Sequence, residues 1–149
     1  MKKDFTPYAG TALRLALGIA MLSAVADRFG LWGTYGTPNV AWGNWENFIA
    51  YTHQLNYFVS LSVATVLGTI ATALEILLGL LLVTGYKTKR TAFATGILLL
   101  AFGLTMTLSL SVKVPLDFSV FSSAAGAFVL SCIGNTAFAL DNYSKRPLR

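Results

Sequence analysis

Glu75 is the one charge in a run of twenty-nine residues from Leu55 to Val83. A run of that length can cross a bilayer, and a carboxylate within hydrocarbon is costly unless something compensates it. A carboxylate so placed can take or pass a proton, or hydrogen-bond the polar head of a ligand. Arg14 interrupts the preceding apolar run, GTALRLALGIAML, and is the candidate partner. A guanidinium engages a carboxylate through two parallel hydrogen bonds and offsets the burial of both groups. A purely architectural role, fixing helix register, stands beside the functional one.

Depth and helix face make the pairing reasonable. At the helical rise, Arg14 lies about 9 Å and Glu75 about 13 Å inside the same boundary. Gly10, Arg14 and Gly18 follow four-residue spacing, and Gly68, Thr72, Glu75 and Gly79 follow four, three and four. Both ionisable residues thus lie on stripes of small residues, which let helices approach closely. Gly10, Gly18, Gly68 and Gly79 are therefore expected to pack helices.

A second polar group gathers at the opposite boundary: Asp27, Arg28, His53, Asn56, Lys113, Asp117 and Ser119. His53 can titrate near neutrality, and an aspartate such as Asp117 can cap a helix or offset a cation. The connection from Asp27 to Gln54 carries Trp32, Trp42, Trp45, Tyr35 and Tyr51. Such rings anchor a chain at the membrane–water boundary, or they could form a lid over a cavity. His53, Asp117 and Trp45 are the secondary site candidates. Asn44 is positioned to cap a short interfacial helix starting at Trp45.

These residues need membrane-spanning elements to hold them. Hydrophobic residues make up 55% of the 149, and charged residues only 11%. A soluble domain carries about 25% charged residues, so the composition indicates an integral membrane protein. The +5 net charge is distributed in short basic patches between apolar runs, which orients a membrane protein and gives no reason to expect nucleic acid. Four segments, about 8–26, 55–83, 91–112 and 118–140, read as helices of one all-α domain, a four-helix bundle covering 1–149. Lys2, Lys3, Lys87, Lys89, Arg90, Lys145, Arg146 and Arg149 fall on one side, which places both termini in the cytoplasm. The start resembles a signal peptide, with Ala24-Val25-Ala26 as a cleavage-like site, but Arg14 interrupts the apolar region and the segment reads as a retained helix. One cysteine, Cys132, and one histidine cannot form a disulfide, a tetrahedral zinc site or a pair of haem ligands, so no metal is expected. Cys132 itself reads as a small packing residue.

The stretch Ala73 to Arg90, ALEILLGLLLVTGYKTKR, resembles the core signature of the DoxX family, with Glu75, Gly79, Gly85 and the basic turn Lys87–Arg90 in its pattern. LRLALG at Leu13 to Gly18 is similar to the family's first helix, with Arg14 at its arginine. KVPLDFSVFS at Lys113 to Ser122 is similar to a later turn. The resemblance implies a four-helix protein of the bacterial inner membrane. It also implies a subunit of a quinone-linked oxidoreductase system, binding a quinone or lipid-like molecule without a covalent cofactor. Glu75 and Arg14 would meet the ligand's head. A redox partner subunit and a homo-oligomer are the expected associations besides the bilayer. A non-enzymatic scaffold for a redox or stress-response partner, and a small proton-coupled transporter using Glu75, are the alternatives.

Overall fold

The apolar runs become helices whose ends are set by local chemistry. The computed structural model describes residues 4–144, whose regular structure is all helix, with no strand among them. Helix α1 spans Thr6–Arg28, with a proline in its first turn, where the missing N–H costs nothing. Helix α2, Trp45–Leu55, begins at Asn44, whose side chain accepts from the Asn47 amide at 2.8 Å. Helix α3, Leu61–Thr84, is capped by Ser60 and closed by Gly85 in the left-handed conformation (φ 71°), where glycine carries no steric penalty. Helix α4 spans Thr88–Ser109, α5 Lys113–Asp117, α6 Val120–Ile133 and α7 Asp141–Ser144.

Three of these, α1, α3 and α4, are long and apolar enough to cross a membrane. α6 packs against α4 and α1, and α3 packs against α1 and α4. The core at their junction is Leu17, Met21, Leu78, Leu82, Ala92, Ala127 and Leu130. Large apolar side chains on the outward faces remain exposed, including Val66, Ile70 and Leu77 on α3 and Phe93, Ile97 and Leu104 on α4. Exposure on that scale suits lipid as the surrounding medium.

Several expectations from sequence are corrected. The segment 118–140 is not one helix: α6 ends at Ile133, and Gly134 turns the chain at φ 58°. Fourteen residues rise only about 21 Å, short of a hydrocarbon core of about 30 Å. The following residues fold back as a strap across the end of the bundle. The Ala137 amide donates to Pro7 O, and the Leu140 amide to Thr84 O, each at 3.1 Å. Asp141 then caps α4 by accepting from the Lys87 and Thr88 amides. Helix α3 also begins six residues later than the apolar run, because Leu55 closes α2 and 56–60 forms a turn. Helix α2 buries Phe48, Ile49, Thr52 and Leu55 against the bundle. Cys132 is exposed, not packed. The basic residues Lys2, Lys3, Lys145, Arg146 and Arg149 lie outside the described residues.

The candidate ligand cavity and its buried ion pair

The register of α1 against α3 determines what Glu75 meets. These antiparallel helices come into backbone contact at Gly18 and Gly79, where a methyl on Gly18 would stand 2.9 Å from the Gly79 carbonyl oxygen. Each step along α1 is a step back along α3. Arg14, four residues before Gly18, is therefore level with Val83, four after Gly79. Glu75 is level with Leu22, about 12 Å away along the axis from Arg14. Side-chain direction widens that gap, since helical side chains lean toward their own N-terminus. Arg14 leans toward the start of α1 and Glu75 toward the start of α3, so they diverge.

The expected Arg14–Glu75 pair is thus corrected. Arg14 donates through Nη1 to the carbonyls of Leu82 (2.6 Å) and Val83 (2.9 Å), and through Nη2 to Phe138 O (3.3 Å). Those carbonyls include the last of α3, which lack intrahelical donors. A positive group there also complements the helix dipole. Gly85 permits this approach, because a side chain at that position would collide with the Arg14 guanidinium.

Glu75 pairs instead with Arg28, the last residue of α1. Arg28 leans back into the bundle, in the direction from which the Glu75 carboxylate reaches up. Its Nη1 touches Glu75 Oε2 and donates a hydrogen bond to Thr72 Oγ1 at 2.7 Å. Both charged residues are buried, 3% and 4% exposed. The guanidinium lies over the Phe48 ring, 4.0 Å from its centroid, and 5.3 Å from that of Trp42. Asp27 fixes this roof: its carboxylate accepts from the amides of Ala41 (2.8 Å) and Gly43 (3.1 Å), on either side of Trp42. Gly43 has φ 66°, and a side chain there would strike the backbone at Tyr35.

Beside the pair lies a cavity of about 400 Å³ bounded by α1, α2, α3 and α4. Arg28, Glu75, Trp42, Tyr51, Thr52 and Asn56 supply its polar and aromatic wall, and Leu67, Ile70, Leu74, Leu98 and Phe102 its apolar one. A second cavity of about 560 Å³ lies toward the loop and α5. The two share Trp42, Tyr51 and Met106 as a common wall. Burial pushes the Tyr51 phenol above its ordinary pKa, so it stays neutral and able to donate.

No protein-family model, curated protein or solved structure matches the chain.

His53, Asp117 and Trp45 line neither cavity. His53 Nε2 is 3.1 Å from Val59 O and closes the turn before α3. Asp117 pairs on the surface with Lys113, four residues earlier. Trp45 stacks on Phe29, its ring centroid 5.7 Å away, and lines neither cavity. Trp42 holds the place expected of Trp45. Gly68 faces Phe48, Ile49 and Thr52 of α2, while Gly10 faces Thr136 and Ile133 near the strap. Arg28 is the residue that sequence reasoning left among the boundary polar groups. The N-terminal lean of helical side chains was the available signal, because it carries a terminal arginine of α1 inward.

Proposed function

We propose that the protein is a DoxX-like subunit of the bacterial inner membrane that holds a quinone- or lipid-like amphipath in the cavity beside Glu75. In this reading α1, α3, α4 and the α6 region form a membrane-embedded four-helix bundle with both termini cytoplasmic. Support for that orientation comes from the basic turn Lys87–Arg90 and the basic residues near both ends. The observation that carries the ligand reading is the cavity itself. Its size suits a ring or head group with part of a tail, it is mainly apolar, and a few polar groups converge at one end. A buried ion pair within a membrane protein is expensive to maintain, and here it lines one wall of the cavity. The chain has one cysteine and one histidine, so electron transfer would run through the bound molecule and a partner subunit carrying the redox group.

The test is extraction in mild detergent, followed by mass spectrometry of co-purifying quinones and lipids. Ala71 lines the cavity, and Ala71→Trp would fill it. We expect a bound amphipath in the parent protein and its loss in Ala71→Trp, with thermal unfolding little changed. Equal recovery of the molecule from both proteins would place it elsewhere, as annular lipid.

A further inference from the structure

The polar end of the cavity specifies the kind of head group it takes. Arg28 Nε is buried without a hydrogen-bond partner, and the Glu75 carboxylate, with Oε2 held by Arg28, has no hydrogen bond to its other oxygen. Both residues are more than nine-tenths buried and both line the cavity. One unfilled donor and one unfilled acceptor oxygen therefore belong to the same ion pair. Buried groups of this kind are normally satisfied, so the pair calls for a ligand that both gives and takes a proton in hydrogen bonding. The net charge of the pair is zero. An anionic head would stand against the Glu75 carboxylate, and a cationic one against Arg28, in a medium that screens neither well. The Arg28 face that could receive an aromatic ring is already occupied by Phe48 and Trp42.

We infer that the cavity selects a neutral amphipath whose head carries a hydroxyl group, a phenol, hydroquinone or alcohol, over one bearing only carbonyls or a phosphate. The hydroxyl donates to Glu75 and accepts from Arg28. Its apolar body lies among Leu67, Ile70 and Leu98. This rests on the ligand-binding reading above and narrows it: of a quinone and its reduced form, the reduced form is the better ligand.

The experiment is anaerobic calorimetric titration of the full chain in lipid nanodiscs. The probes are a short-tailed hydroquinone, the matching quinone, and an alkyl phosphate of similar length. The expected result is hydroquinone binding at least about tenfold tighter than quinone, since only it offers a hydrogen bond to a charged acceptor. Alkyl phosphate should bind weakest. In Glu75→Gln the new amide can donate to a carbonyl, so the preference should shrink to within about threefold. The parent protein decides the matter even if that variant does not fold. Quinone binding as tightly as hydroquinone, or alkyl phosphate binding tightest, overturns the hydroxyl assignment and leaves a ligand site standing. Absence of binding by all three overturns the ligand reading and this inference with it.

Discussion

Arg14 and Arg28 occupy the same helix, fourteen residues apart, and both are almost wholly buried. Their surroundings differ in kind. Arg14 is held by backbone carbonyls from α3 and the strap, with no carboxylate among its hydrogen-bond partners. Around it the chain is closed: Gly85 gives it room, and residues 137–141 fold over the end of the bundle. Arg28 is held by a side-chain carboxylate, a hydroxyl and two aromatic rings, next to open volume. One arginine ties off helix ends. The other pairs with a carboxylate beside a cavity. An intramembrane charge thus indicates a ligand site only when its partners leave room for one.

The largest effect is expected from splitting the Arg28–Glu75 pair. Arg28→Met or Glu75→Leu alone leaves a buried charge and should cost about 3–5 kcal/mol in denaturant unfolding in micelles. The double variant should recover most of that loss, yet bind no ligand. Simple additivity in the double variant would show that the two charges are not coupled.

Arg14→Met should come next, at about 2–4 kcal/mol, because several carbonyls lose a charged donor together. Affinity for a cavity ligand should stay unchanged. If titration showed Arg14→Met weakening the ligand as much as Arg28→Met does, the division between a closing arginine and a ligand-side arginine would be wrong.

Gly18→Ala acts on both sites, since its methyl meets the Gly79 carbonyl and pushes α1 away from α3. Overpacking of this type costs about 1–3 kcal/mol. Unfolding should show the stability loss, and titration should show weakened ligand binding, because the register that brings Arg28 to Glu75 is disturbed. The smallest effect belongs to Asp27→Asn, which keeps the shape but loses the charge that strengthens two amide hydrogen bonds, for about 1 kcal/mol. Faster cleavage of the 29–44 loop by protease would report it. An unchanged cleavage rate would mean that Asp27 does not hold Trp42 in place.

Much of the fold was legible along the chain because local rules govern it. Asn44 announced the start of α2 and Gly85 the end of α3. The break after Ile133 was less visible. Nothing in 134–140 forbids a helix as a proline would, and the strap gains its hydrogen bonds from residues more than fifty positions away. The site was half legible. Glu75 and Thr72 stood out by spacing, and the aromatic loop by composition. Trp42 did not stand out from Trp45, since only the Asp27 contacts with Ala41 and Gly43 turn it over Arg28.

By itself the sequence determined that an unaccompanied carboxylate would be buried among apolar helices, and that an arginine of the first helix would have to answer it. Hydropathy and charge require that much, because neither group is tolerated alone in a low-dielectric interior. Which arginine answers was decided only by the tertiary structure. The Gly18–Gly79 contact sets α1 against α3 so that Arg14 stands at the closing turn, while Arg28 leans back to Glu75. Helical periodicity gives each residue a face and a direction. The offset between two helices comes from where their backbones can touch.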